Sequence, residues 1–337
     1  MTQGSRVRPP AGTGSGSSSA ARTAVVVATR NRGRQLRQLL AALRLQEHHD
    51  FELVVVDDAS EDETFQVLEQ ESRRGDLGLE VVRRETPGGP GAARNDGWRR
   101  ATAPLVCFTD DDCEPSPRWL AAMAAAHDAD PSAVVQGRTV PHPDEVADLG
   151  PLARTMDVQQ LGPWFPTCNV AYPREMLERL DGFASRFPTR GEDTDLAWRA
   201  KEAGAPTVYR PDALVHHAVN HQGLAGALRF AWGWDEGMRL FAEHTQLRDE
   251  LAAGLFWRRA HAPLLVTLAG LAAARRTTGA TRWTGSVLAL VPWARSLERR
   301  RAMQGWSRSA VPAMAVIDLV ELAATVRGAI RHRTPVL

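Results

Sequence analysis

Leu105-Val106-Cys107-Phe108-Thr109, followed at once by Asp110-Asp111-Asp112, is the stretch whose reading decides the fold. Five uncharged, mostly apolar residues read as a buried strand. Three adjacent carboxylates repel one another and are not placed together without compensation, so the strand ends where the acids begin. On an extended segment Asp110 and Asp112 point to one side, and Asp111 to the other. Two hard oxygen donors on one side suit Mg²⁺ or Mn²⁺ held jointly with a diphosphate. An acidic exposed turn is the plainer alternative, and the apolar run before it argues against that.

Working outward, the apolar runs at 23–28, 53–56 and 79–82 read as three more buried strands. Leucines at 36, 39, 40 and 43 give helical spacing over 35–45, and 64–71 also reads as helix. The cluster PGGPG at 87–91 is a loop that opens a helix over 92–101. Helices near 117–127, 174–180 and 192–203 follow, with strands near 133–137 and 207–217, the last interrupted by Pro211. Residues 141–165 read as irregular. This alternation predicts an α/β fold, a mostly parallel sheet with helices on both faces. Ligands in such sheets sit beyond the carboxyl ends of the strands. Those ends are Thr29-Arg30-Asn31, Asp57-Asp58 and Asp110-Asp111-Asp112, all polar and two of them acidic.

The 337 residues suit two domains, and 43% hydrophobic content is enough for a core. Net charge is +1, yet it is unevenly spread. Residues 23–221 hold 22 basic and 32 acidic groups, whereas 222–337 hold 16 basic and 8 acidic. The expected organisation is a disordered Gly/Ser/Pro-rich leader at 1–22, a sheet domain at 23–221 and a basic helical region at 222–337. Apolar segments at 262–274, 286–294 and 311–330 are short or broken by Asp318, Glu321 and Arg327, so none reads as a membrane span. Six of the ten tryptophans lie in this region, and Trp with Arg on helices is a membrane-interface composition. An ordinary helical subdomain is the competing reading. Cys107, Cys113 and Cys168 form no Cys-x-x-Cys pair and read as three reduced thiols.

Other constellations carry chemistry. Glycines at 88–91 before a helix that bears Arg94 would suit a phosphate. Glu192, Asp193 and Asp195 open a helix, where the dipole favours negative charge; one acid would suffice for that, and an ionised carboxylate there could act as a general base. His216 and His217 end the last strand, and a neutral imidazole is a common metal ligand. Trp164 and Asn169 are candidates for fixing a sugar.

Taken together, six stretches resemble the family 2 glycosyltransferases of GT-A fold: VVVATRNR (25–32), VVVDDASEDET (54–64), GAARNDG (91–97), FTDDDCEP (108–115), GEDTDLAWR (191–199) and ALVHH (213–217). The resemblance runs from about 24 to 217 and is weak beyond 222. It implies an inverting transfer of a hexosyl or deoxyhexosyl group from a nucleoside-diphosphate sugar to a hydroxyl acceptor, with Mn²⁺ or Mg²⁺. It places Thr29 and Asn31 at the nucleotide, Asp57 at the base with Arg94 nearby, and Asp110 toward ribose or metal. Asp112 would bind the metal, with His217, or His216 in the other register, as a further ligand. Asp193 would be the catalytic base, with Glu192 beside it toward the acceptor. Processive members carry Gln-x-x-Arg-Trp; the Arg-Trp pairs at 118–119 and 282–283 lack that Gln, so a single-addition enzyme is expected. The expected setting is cytoplasmic, with a lipid-linked or envelope acceptor, peripheral contact with the inner face of the plasma membrane through 222–337, and no nucleic-acid partner. A non-catalytic nucleotide-binding scaffold is the alternative. A nucleotidyltransferase is disfavoured, since 24–34 offer only Gly33 and no Lys for a triphosphate.

Overall fold

Ala24, Val25, Val26 and Val27 are all fully buried. A continuous apolar run needs cover on both faces of its sheet, and it has it. Val25 and Val27 join Leu36, Leu39, Leu40 and Leu43 in one core, while Val26 joins Trp98, Phe108 and Leu196 in another. The leucine spacing read from the sequence is therefore the inner face of a helix.

The computed structural model describes Arg6, Val7 and residues 21–337. Its strands are β1 (Arg6–Val7), β2 (Thr23–Thr29), β3 (Phe51–Asp57), β4 (Leu79–Arg83), β5 (Leu105–Phe108), β6 (Cys113–Pro115), β7 (Val134–Pro141), β8 (Ala153–Arg154), β9 (Val170–Pro173), β10 (Thr207–His217) and β11 (Asn220–His221). Two compact units form, Met1–Val146 with Thr155–Ala218, and Ala147–Arg154 with Val219–Leu337. The leader expected at 1–22 lies mostly outside the described residues; within it, Arg6–Val7 pairs antiparallel with Val81 and Val82.

The first unit holds one sheet in the order β1-β4-β3-β2-β5-β9-β7-β10-β6. Neighbours from β4 to β5 are parallel, as are β7 and β10; β9, β1 and β6 run against their neighbours. Its helices are α1 (Gly33–Arg44), α2 (Thr64–Arg74), α3 (Pro90–Trp98), α4 (Trp119–Ala129), α5 (Arg174–Leu180) and α6 (Glu192–Glu202). This is the mostly parallel α/β sheet the alternation predicts. The short antiparallel strands β6 and β9 are additions with too few residues to show a period. Pro211 leaves its mark in β10, whose register against β7 shifts between Arg210 and Leu214.

Asn169 is fully buried and ties this sheet together. Its Oδ1 accepts from Trp119 Nε1 at 2.8 Å, and its Nδ2 donates to the carbonyls of Arg138 and Ala213 at 2.8 and 2.9 Å. The expectation that it contacts a sugar is thus corrected: burial and three internal bonds commit the amide to structure. A Cβ at Gly137 would lie 2.4 Å from Asn169 Oδ1 and 2.6 Å from the Ala213 carbonyl.

In the second unit β8 pairs antiparallel with β11. Five helices follow: α7 (Gly223–Trp232), α8 (Trp234–Glu243), α9 (His261–Ala274), α10 (Gly279–Met303) and α11 (Val311–His332). Charges inside this unit are paired: Arg327 with Asp235, Arg300 with Asp318, and Arg258 Nε with Glu321 Oε1 at 2.9 Å. Asp318 and Glu321 are buried in these pairs, which is why α11 can be apolar yet carry them. Among the described residues, 308–332 is the one helix long and apolar enough to cross a membrane.

Gly137→Ala is expected to lower unfolding stability by about 1–3 kcal/mol through overpacking against Asn169. Urea denaturation checks this; an unchanged midpoint would contradict the close contact.

Candidate active site

Parallel register brings the strand ends together. Thr29 pairs with Asp57 across β2 and β3, and Val26 with Phe108 across β2 and β5. The loops after β2, β3 and β5 therefore open on one edge, and two of their residues hold unusual backbone. Asn31 and Ala59 have φ of 54° and 59°. Such strain persists only where surrounding contacts hold it, and it clusters at functional sites. For Asn31 the contacts are visible: its N–H donates to Ser60 Oγ at 3.0 Å, and its Oδ1 accepts from Glu61 N at 2.9 Å.

The three aspartates part company. Asp110 Oδ1 accepts from Arg94 Nη2 at 2.8 Å, and the same guanidinium donates through Nη1 to Glu192 Oε1 at 2.8 Å. Arg94 thus joins the end of β5 to the start of α6. Burial opposes its charge, but Asp110 and Glu192 outweigh that and hold its pKa above the ordinary value. Arg94 was expected near Asp57; the arginines paired with Asp57 and Asp58 are Arg83 and Arg84. Arg83 Nε lies 3.5 Å from Asp57 Oδ2, and Arg84 Nε 2.8 Å from Asp58 Oδ1.

Asp111, expected to point away from the other two, is buried and accepts from Thr29 Oγ1 at 2.7 Å. Burial pushes its pKa up to about 7, against the lowering effect of Arg32. Arg32 Nη1 sits 3.4 Å from Asp111 Oδ1 and also pairs with Asp112. Sequence reading missed Arg32. It lies in the quoted stretch 25–32, but its partners are 79 and 80 residues away and no local pattern announces them.

Asp112 faces β10. Asp112 Oδ1 is 3.6 Å from His217 Nε2, and donor atoms of Asp112, Cys113 and His217 all lie within 4.8 Å of one another. His217 Nδ1 is 2.8 Å from the Ala218 carbonyl. With the proton on Nδ1, that bond leaves the Nε2 lone pair facing Asp112, the arrangement of a metal-binding imidazole. His216 packs edge-on against His142, with ring centroids 5.9 Å apart. A carboxylate, an imidazole and a thiol together fit a divalent cation. Asp110 is outside this trio because Arg94 holds it. Cys113 was read only as a reduced thiol; all three cysteines are indeed free and buried.

At the head of α6, Glu192 is buried against Arg94, and Gly91 permits the approach, since a Cβ there would lie 3.3 Å from Glu192 Cγ. Asp193 Oδ1 accepts from Thr194 N at 2.7 Å, and Thr194 Oγ1 donates to the Trp164 carbonyl at 2.7 Å. Burial, then the neighbouring Glu192 charge, raise the Asp193 pKa to about 7. A carboxylate poised there can exchange a proton at neutral pH. The loop before α3 is fixed by Asp58, whose two oxygens accept from Gly88 N at 2.8 Å and Gly89 N at 2.9 Å.

Replacing Arg94 by Met leaves Asp110 and Glu192 facing each other without their cation. Stability is expected to fall by about 3–5 kcal/mol, as when one partner of a buried ion pair is removed. Thermal denaturation reads this, and a loss under about 1 kcal/mol would mean that solvent, not Arg94, holds the two carboxylates.

With this geometry in place, comparisons with known proteins are informative. Residues 24–190 match the family model "Glycosyl transferase family 2". A pre-mycofactocin glycosyltransferase of Mycobacterium tuberculosis is 31% identical over 255 residues, covering 72% of this chain and 47% of that protein. A validoxylamine A glucosyltransferase of Streptomyces hygroscopicus is 30% identical over 274 residues, covering 69% and 62%. The chain thus spans about half the length of the first of these relatives. Among solved structures, the mannosyltransferase PcManGT from Pyrobaculum calidifontis, in complex with GDP-Man and Mn²⁺, superimposes with a TM-score of 0.57 at 22% identity, over 93% of this chain and 87% of that one. Residues 1–349 of TarS from S. aureus, in complex with UDP-GlcNAc, give 0.53 at 21% identity, over 93% and 92%. These likenesses establish the GT-A fold, and through the domain formed by residues 24–190 the chain belongs to glycosyl transferase family 2.

Proposed function

We propose that this chain is an inverting, single-addition glycosyltransferase that moves a sugar from a nucleoside-diphosphate donor to a hydroxyl acceptor with a divalent cation. The observation that carries this is Arg94 bridging Asp110 to Glu192, next to an Asp193 whose pKa is raised to about 7. It joins a donor-side carboxylate to an acceptor-side carboxylate at one buried cation. Relatives named as glycosyltransferases support the reaction class, and structural neighbours holding GDP-Man with Mn²⁺ and UDP-GlcNAc support the donor class.

In this reading Asp57 serves the base: one oxygen accepts from Ser60 N at 3.0 Å, and the other is buried with no hydrogen-bond partner. Asn31 and Thr29 shape the nucleotide pocket, and Asp110 faces the ribose. Asp112 and His217 would hold Mn²⁺ or Mg²⁺, which supplies neutralisation of charge developing on the departing diphosphate. Asp193 takes the proton from the acceptor hydroxyl as that oxygen attacks the anomeric carbon, and Glu192 orients the acceptor. The acceptor we favour is lipid-linked or part of the cell envelope. The site would lie in the cytoplasm, with residues 222–337 in peripheral contact with the inner face of the plasma membrane.

Asp193→Asn is expected to cut transfer at least about a thousandfold, the effect of losing an essential base, while Mn²⁺-dependent binding of nucleoside diphosphate persists in calorimetry. Because a carboxylate with a raised folded pKa destabilises the fold once ionised, this variant should unfold no earlier than the parent at pH 8. Near-normal turnover would remove Asp193 as base, and absent metal-dependent nucleotide binding in the parent chain would favour a non-catalytic scaffold.

The base works as its carboxylate. Acidification protonates it, so kcat/KM should fall as pH drops through about 7, approaching tenfold per unit below about 6. A profile flat from pH 5.5 to 8 would contradict the assignment. His217→Ala should weaken Mn²⁺ activation by about tenfold or more, and His216→Ala should not.

A further inference from the structure

From Leu251 to Leu297 the chain has six arginines and no acidic residue. The middle of this stretch is the hairpin of α9 and α10. Its connecting turn and first helical residues, 275–284, are exposed throughout and read RRTTGATRWT. Arg275, Arg276 and Arg282 form no ion pair among the described residues. Elsewhere in this unit Arg258, Arg300 and Arg327 differ, since each meets a buried acid.

Apolar side chains flank the same turn and stand in solvent. Trp283 is 76% exposed, and Val287 and Leu290 follow it at i+4 and i+7 on one face of α10. Leu288 on α10 and Val266 and Leu268 on α9 are exposed as well. An isolated exposed leucine is ordinary, whereas a run of them beside unpaired cations marks an interaction surface. Cations with Trp at the rim and aliphatic residues beyond it is the chemistry of an anionic bilayer surface. The guanidiniums meet headgroup phosphates, the indole sits at their depth, and the aliphatic groups reach the acyl boundary.

We propose that the α9–α10 hairpin, led by Arg275, Arg276, Arg282 and Trp283, is a docking element for anionic phospholipid membrane. Charge complementarity selects this occupant: an acid-free cationic tip fits an anionic surface and repels a second copy of itself. The inference rests on the reading of the chain as an enzyme of the cell envelope, and it adds the element and the lipid class.

The test is flotation of the full chain with vesicles of phosphatidylcholine alone, or with about 30% phosphatidylglycerol, at low and high salt. Binding is expected on the anionic vesicles only and should weaken with salt. Replacing Arg275, Arg276 and Arg282 together by Gln should weaken it by about a hundredfold, at roughly fivefold per cation near an anionic surface. Trp283→Ser should weaken it on its own. All these positions are exposed, and circular dichroism checks that the variants fold. Equal binding of parent and variants, or parent binding to neutral vesicles alone, overturns the proposal. So does self-association in sedimentation velocity that Trp283→Ser abolishes while vesicles are not bound. Metal-dependent hydrolysis of a nucleotide sugar in the absence of vesicles is measured in parallel. It should be unchanged in the surface variants, and its absence in the parent would count against the transferase reading, not against docking.

Discussion

One guanidinium holds the candidate site together. Arg94 reaches Asp110 at the end of β5 with one nitrogen and Glu192 at the start of α6 with another, each at 2.8 Å. Without it, two carboxylates from segments 82 residues apart would face each other in a partly dry edge of the sheet. Each would then repel the other and resist burial. With it, they are fixed at one separation, and Asp193, next in the chain, is carried into place. The glycines before α3 belong to the same constraint: Gly89 has φ of 82° and no room for a Cβ against the Pro188 carbonyl, so the turn that aims α3 requires glycine.

The remaining acids are compensated one by one, and each compensation has a different source. Asp111 takes a hydroxyl from β2 and shares Arg32 with Asp112, while His217 from β10 closes on Asp112 from the far side. Asp58 is consumed by the backbone of the glycine loop. Asp57 keeps a buried oxygen that accepts no hydrogen bond and has Arg83 Nε 3.5 Å away. Acids at one sheet edge therefore fall into those that build the edge and those still open to a ligand, and this division, rather than their number, gives the site its chemistry.

The second unit sorts its arginines by the same rule. Four meet the buried Asp235, Asp318 and Glu321, whereas Arg275, Arg276 and Arg282 at the acid-free tip of the α9–α10 hairpin stay in water. Net charge over 222–337 could not make that distinction, because it counts buried partners and exposed cations alike.

Much of this was legible in the residues themselves. Continuous valine runs require a sheet covered on both faces, leucines at helical spacing require a helix lying on it, and acids directly after apolar strands mark the edge where ligands bind. Local forces impose those features, so a local reading recovers them. What only the tertiary structure decided was pairing across distance. Arg94 went to Asp110 and Glu192, Asn169 to the sheet instead of a sugar, Arg32 to Asp112. His217, not His216, turned toward Asp112. A side chain's partner depends on strand register and helix placement summed over the whole chain, and no window of sequence contains that sum. The run Asp110-Asp111-Asp112 announced a site by its position, and the fold alone assigned its three carboxylates to three different neighbours.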